Sequence, residues 1–303
     1  MSFWEIISKT SGDLTDYATP IFLLMILLES LISSRRHLKN YQWKDSLASI
    51  SMGLGSVLID LLMKALAFSA FNFLYQWSVF DLKYIWWVWV LAFFAEDFTF
   101  YWHHRLSHEI RLLWAAHVNH HSSQLLNLTT ALRQSWGERL YKYIFWLWLP
   151  LLGFPPMMIM VLMSTNLIYQ FFLHTQLVGK LGPIEWIFNT PSHHRVHHAS
   201  NANYLDRNHA GTLIIWDRLF GTFVSESLSE KPVYGIVNNI HTYNPFVIAS
   251  HEFIDIWKDV RAAPTIGNKL KYIFYPPGWS HDGSKKTAKQ LRNDYQNKLK
   301  IKP

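Results

Sequence analysis

Residues 84–121 read YIWWVWVLAFFAEDFTFYWHHRLSHEIRLLWAAHVNHH. The first half, Tyr84 to Tyr101, is an apolar run with Trp86, Trp87 and Trp89 near one end; the second half carries two histidine clusters. His104 and His108 are spaced i, i+4, and His117, His120 and His121 are spaced i, i+3, i+4. On a helix these offsets share one face, with Cβ atoms about 5–6 Å apart, so the imidazoles can converge on one point. A third cluster, His194, His197 and His198, repeats the second spacing, and His174 closes a later apolar run. Neutral imidazole suits iron, zinc, copper and nickel. The clusters supply eight imidazoles and His174 a ninth. One octahedral ion takes at most about six donors, and a working site keeps a position open, so the count implies two metals. Non-haem iron with open positions is an arrangement that activates dioxygen. A lone HxxxH is weak, being more often a surface pair; three clusters beside membrane-length runs are a strong signal.

Two carboxylates flank the first cluster. Asp97 lies seven residues before His104, two turns back on the same face, where it would accept the second N–H of a ligand histidine or sit at headgroup level. Glu109, beside His108, reads as a carboxylate ligand, a partner to one, or a solvated glutamate. Asp60 and Lys64, at i and i+4 inside another apolar run, read as a structural ion pair.

Further apolar runs span Tyr17–Ser33, Leu47–Phe73 and Tyr141–Leu173, the last broken by Pro150, Gly153, Pro155 and Pro156. A helix needs about 20 mostly apolar residues to cross a roughly 30 Å hydrocarbon core. The pattern predicts an all-α integral membrane protein with about four transmembrane helices and a cytoplasmic helical cap holding a His-rich dimetal site. Buried core helices of a soluble protein are the plainer alternative; tryptophans gathered at run ends favour an interfacial belt. No cleavable leader is expected, since Ser2 to Asp16 lacks a basic start. Residues 1–16 carry a net −2, residues 34–45 a net +3 and residues 258–303 a net +8. Cytoplasmic segments favour Lys and Arg, which places the 34–45 loop, the tail and both histidine-bearing segments on the cytoplasmic side of a multi-pass protein. The basic tail reads as a face against anionic headgroups, with a solvated tail or a partner-docking site as alternatives. Only 16% of residues are charged, against about 25% in a typical soluble domain. The absence of Cys excludes disulfides, zinc ribbons and Cys-ligated iron–sulfur clusters within these residues. The charge pattern does not suggest a nucleic-acid binder. Three regions are expected: N-terminal membrane helices over 1–84, a catalytic domain over 85–236, and a C-terminal segment over 237–303.

Asp97 to His108 (DFTFYWHHRLSH), His117 to His121, Asn189 to His198 (NTPSHHRVHH) and Gly211 to Phe223 (GTLIIWDRLFGTF) together resemble the fatty acid hydroxylase/sterol desaturase superfamily. Its members are histidine-rich, integral-membrane di-iron oxygenases. The resemblance covers about residues 85–236. It implies iron ligation by His104 and His108, by His117, His120 and His121, by His194, His197 and His198, and by His174 from the helix before the third motif. His103, His193 and His209 fall outside the motif positions. Asn127 to Ser135 (NLTTALRQS) is most similar to the alkylglycerol monooxygenase branch, which implies an ether-lipid or other long-chain lipid substrate from the bilayer and tetrahydrobiopterin as reductant. Arg133 and Gln134 would meet a pterin or a polar headgroup, or serve as structural N–H donors. No dinucleotide fingerprint, Cys cluster or haem motif is present, so electrons must come from a separate ferredoxin or cytochrome, or from a pterin. A fatty acid or sterol hydroxylase or desaturase is the rival within the superfamily. A membrane metal transporter is the rival outside it, disfavoured by the absence of an internal repeat and by histidines at helix ends.

Overall fold

The computed structural model describes residues 14–301; the acidic start at residues 1–13, which carries part of the orientation argument and of the leader argument, lies outside the described residues. Twelve α-helices make up these residues: α1 Thr15–Arg35, α2 Trp43–Tyr75, α3 Trp86–Glu109, α4 Arg111–His121, α5 Trp136–Arg139, α6 Trp148–Leu152, α7 Pro156–Phe171, α8 Pro191–His197, α9 Ile215–Leu219, α10 Pro245–Ala262, α11 Ile266–Phe274 and α12 Ala288–Ile301. No strand occurs among the described residues; Phe188 with Leu213 and Ala199 with Tyr234 form isolated antiparallel bridges.

Two helices, Tyr17–Arg35 and Trp43–Tyr75, are long and apolar enough to cross a membrane. Their exposure separates them from the core helices of a soluble protein. On α2, Leu54, Leu58, Leu61 and Leu62 form one face and are 66, 76, 76 and 63% exposed. Leu23, Leu24, Leu27 and Leu31 do the same on α1. A contiguous apolar surface of this kind is stable only against lipid or a partner, and it makes this a membrane protein. The third run becomes α3, whose second half carries Glu96, Asp97 and the first histidines, so its apolar part is shorter than a span. The fourth run is broken where its prolines fall. A 3₁₀ segment, Lys142–Trp146, and α6 run one way, and α7 runs back. Gly153 makes the turn with φ +110°, and a Cβ there would run into the Phe80 carbonyl. The Val79 N–H donates to Leu151 O at 2.8 Å, locking that turn to the α2–α3 connection.

The main core lies between α2, α3, the 142–152 segment and α7, around Phe71, Val88, Trp146, Leu149, Met158 and Ile159. Polar staples hold the opposite end. Asp60 on α2 does more than pair with Lys64: it also accepts from Arg139 at 3.3 Å and Tyr143 Oη at 2.9 Å. Arg111 binds Glu252 and Asp259 at 2.7 Å each, docking α10 on α4. The basic tail is docked too. Arg292 donates to Leu205 O at 2.6 Å, and Gln296 donates to Asn203 at 3.1 Å.

Glu29 of α1 is 3% exposed and accepts from the Leu128 N–H at 2.8 Å and from the Tyr41 and Thr175 hydroxyls at 2.5 Å each. Glu29→Ala strands three donors from three other segments, at a cost of about 1–3 kcal/mol for each that stays buried. Thermal unfolding in detergent should show a midpoint lowered by several degrees; an unchanged midpoint would contradict this anchoring role.

Candidate metal centre

Four segments deliver the histidines. α3 ends with His104 and His108 on one face. Ile110, with an extended backbone, breaks the chain before α4, whose last turn presents His117, His120 and His121. His174 follows α7. Pro191 starts α8 after an extended Thr190, and this short helix presents His194, His197 and, at its end, His198. The nine imidazoles fall into two groups. His104, His108, His117, His121 and His197 form one; His120, His174, His194 and His198 form the other. Within each group the donor atoms lie within 4.8 Å of one another, and all nine side chains are buried. The groups adjoin: the His121 and His198 rings stack at 4.5 Å, and His120 lies 4.6 Å from His198 between ring centres.

Hydrogen bonds fix which nitrogen faces inward in five of the nine rings. Nδ1 of His104 meets the His209 carbonyl at 2.8 Å, that of His174 the Gln170 carbonyl at 2.8 Å, and that of His197 the Arg207 carbonyl at 3.0 Å. A carbonyl only accepts, so these rings carry their proton on Nδ1 and keep a lone pair on Nε2. Carboxylates do the same for His117, through Glu138 at 3.0 Å, and for His108, through Asp206 at 3.3 Å. The inward nitrogens then crowd. Nε2 of His104 and His117 are 3.1 Å apart, those of His120 and His174 3.1 Å, and those of His174 and His194 3.0 Å. Nε2 of His108 and of His197 have no hydrogen-bond partner. Lone pairs held face to face repel unless a cation lies between them. Two donors at right angles, each about 2.1 Å from one ion, are separated by about 3.0 Å. The spacing, the donor type and the orphaned nitrogens therefore fit a metal, and imidazole donors suit iron.

Burial keeps the donors in the metal-binding form. It pushes His174 down to about 4 and holds His120, His121, His194, His197 and His198 well below the usual histidine range. Neutral imidazole is the form that binds metal.

The other residues singled out in the sequence lie around this centre. Asp97 does not meet a histidine nitrogen. It accepts from the Thr212 N–H at 2.7 Å, the Leu213 N–H at 3.0 Å and Trp216 Nε1 at 2.9 Å, pinning the 210–216 segment to α3. Glu109 belongs to neither group; it is bound by Arg105 at 2.8 Å, and its charge acts on Asp206. Arg133 is fully buried and acts as an N–H donor, to Asn119 O at 3.1 Å, Ser122 at 3.0 Å and Asp45 at 3.3 Å. It borders a cleft of about 520 Å³ shared with Lys39, Gln124, His241 and Tyr243. Gln134 donates to Ala131 O at 2.7 Å and accepts from Arg139 at 2.6 Å.

Several contributors were not singled out in the sequence. Glu138 stands 21 residues from His117, and no periodicity connects them. Asp217 sits in the quoted Gly211–Phe223 block, yet only the fold shows it taking the His209 and Ala210 N–H groups at 2.8 Å each. Asp206 and Asn208 have φ of 49° and 56°. This left-handed backbone is one that Asp and Asn tolerate, and it lies in the turn that presents the Arg207 and His209 carbonyls to the rings. Burial pushes both Asp206 and Asp217 up to about 6.

Residues 89–222 match the family model described as fatty acid hydroxylase. This stretch is similar to the fatty acid hydroxylase family. It contains all nine imidazoles of the centre. Over 278 residues the chain is 43% identical to alkylglycerol monooxygenase from Xenopus tropicalis, covering 89% of this chain and 61% of that protein. Against the protein of the same name from Homo sapiens the identity is 41% over 279 residues, covering 89% and 62%. Ornithine lipid hydroxylase OlsE from Rhizobium tropici is 30% identical over 152 residues, covering 50% and 46%. The chain thus spans about three fifths of the alkylglycerol monooxygenases it matches. No solved structure matches it.

The buried histidines set a pH dependence for the metal-free protein. The folded state keeps His174 and His193 neutral down to about pH 4, and His209 down to about pH 3. Unfolded imidazoles protonate near pH 6.5, so below that pH the unfolded state binds more protons and stability falls by about 1.4 kcal/mol per pH unit for each such histidine. The thermal midpoint of metal-free protein should drop steeply between pH 7 and pH 5; a flat profile would contradict neutral burial.

Proposed function

We propose that this chain is a membrane lipid oxygenase that uses O2 to hydroxylate a lipid C–H bond, with the ether-linked carbon of an alkylglycerol as the leading substrate. The observation that carries the reading is the pair of adjoining, buried, neutral imidazole groups inside a stretch similar to the fatty acid hydroxylase family. Each group would hold one iron: His104, His108, His117, His121 and His197 the first, and His120, His174, His194 and His198 the second. Five and four donors, against a coordination number of about six, leave room for exogenous ligands. Iron held in this way supplies reductive activation of dioxygen. The protein residues do the rest. The Nδ1 acceptors orient the rings, and burial keeps bulk water from the centre. In this reading Asp97 and Glu109 act indirectly: Asp97 fixes the 210–216 segment, and Glu109 acts beside Asp206.

The membrane arrangement follows from the same end of the molecule. α1 and α2 cross the bilayer, and the apolar first half of α3 and the 142–171 hairpin enter it beside them. The ends of α1, α3 and α7 and the start of α2 share one side, where Arg35, Arg36, Lys39 and Lys44 cluster. The positive-inside rule makes that side cytoplasmic. Substrate reaches the centre laterally from the bilayer. Electrons come from a pterin or from a separate ferredoxin or cytochrome, with the cleft beside Arg133 as the polar approach. The likeness to an ornithine lipid hydroxylase supports a second reading, hydroxylation of another polar lipid or of a fatty acid or sterol by the same centre.

Purified protein should carry two irons and release fatty aldehyde from a long-chain alkylglycerol with reduced pterin under oxygen. Two irons without aldehyde would move the substrate to other lipids; finding no redox metal in protein produced in iron-supplied cells would end the oxygenase reading. His120→Ala should lower bound iron and abolish turnover.

A further inference from the structure

A cavity of about 50 Å³ lies beside the imidazole groups, bounded by residues of α2, α3 and α7 and by the segment from Gln134 to Trp146. Its walls are of two kinds. Phe100, Met160, Met163 and Leu167 are apolar, while His103, Gln134 and Glu138 bring polar groups to the same space. The polar wall abuts the metal centre, because Glu138 holds Nδ1 of His117. Phe100 is the apolar link, its ring 5.4 Å from that of His104 and 6.2 Å from that of His103.

His103 is the anomaly. It is 2% exposed, and neither ring nitrogen has a hydrogen-bond partner. Its Nε2 lies 3.8 Å from Glu138 Oε1, too far for a hydrogen bond. A buried, unmatched polar ring costs stability and calls for an occupant that would satisfy it. A water needs about 10–15 Å³ of such space, so the cavity has room for a few water-sized groups and suits a small hydroxylated head.

The charges lining the cavity define the occupant further. Lys64, Arg139 and Lys142 lie at its edge, but all three are drawn to Asp60, at 3.4, 3.3 and 3.7 Å. Arg139 also donates to Gln134. Asp60 thus draws the cations toward itself, while the carboxyl groups of Glu96 and Glu138 face the space, and Glu96 Oε1 has no hydrogen-bond partner. A phosphate would meet both carboxyl groups. An uncharged hydroxyl group can donate to Glu138 and pair with the His103 ring.

We propose that this cavity seats the polar end of the lipid substrate, an uncharged hydroxyl-bearing head, and that His103 and Glu138 hold it. The assignment rests on the lipid-hydroxylase reading above. It makes His103 a specificity-determining residue although it stands outside both imidazole groups.

The test uses iron-loaded protein in nanodiscs and three chain-matched probes: a 1-alkylglycerol, an alkyl methyl ether and an alkyl phosphate. Equilibrium binding, iron content and KM against kcat are read for wild type, His103→Phe and His103→Gln. Wild type should bind the alkylglycerol at least tenfold more tightly than either comparator. His103→Phe should lose that preference with iron unchanged, and His103→Gln should recover most of it. Met163→Trp, which fills the cavity from α7, should weaken alkylglycerol binding at least tenfold and gives the same readout if His103→Phe does not fold. The proposal is overturned if His103→Phe keeps the preference, if the phosphate binds as well as the diol, or if iron is lost with the histidine. Tight, His103-dependent binding without an oxygenated product would uphold the cavity and defeat the proposed reaction instead.

Discussion

A buried imidazole can offer a lone pair to a cation only while its proton sits on the other nitrogen, and something must hold it there. That constraint organises the surroundings of the centre. The carbonyls of Gln170, Arg207 and His209 and the carboxylates of Glu138 and Asp206 each take one Nδ1. Asp217 and Asp97 then fasten residues 209–213, the start of which supplies the His209 carbonyl. Even the basic tail participates: Arg292 comes within 3.8 Å of Asp206, whose other oxygen meets His108.

The helical spacing of the histidines was legible in the sequence because i, i+3 and i+4 offsets are a local property of one helix. His174 could be flagged by its place at the end of an apolar run. How the nine rings divide was not legible. His120 parts from its neighbours His117 and His121 because α4 runs between the two groups, a fact of packing and not of periodicity. Glu138 and Asp206 were invisible for the same reason, since each meets its histidine across a long stretch of chain. Asp97 was correctly noticed as an expensive buried carboxylate, but helical register alone placed its partner one layer too close. The break in the fourth apolar run was readable from its prolines. That Gly153 turns against Phe80 was not.

The apolar surface and the polar centre use different ends of the same helices. α2 exposes leucines along its middle and offers Asp45 and Ser49 to the fixed guanidinium of Arg133 at its start. α3 begins among exposed tryptophans and ends in ligand-type histidines. A helix that must satisfy lipid along most of its length and a buried cation site in its last turns has little freedom to slide, because a shift of one turn would move a leucine into the centre or a histidine into hydrocarbon.

The interleaving of the two groups has a consequence for assembly. α4 gives His117 and His121 to one group and His120 to the other, and α8 gives His197 to one and His194 and His198 to the other. Neither group can be ordered without fixing the rotation of both helices. On the two-iron reading proposed above, filling one group would discharge much of the entropic cost of forming its neighbour, and the two would load cooperatively. A half-filled centre would then be a sparse species, and partial metal supply would yield a mixture of empty and full molecules in place of a uniform population with one ion each.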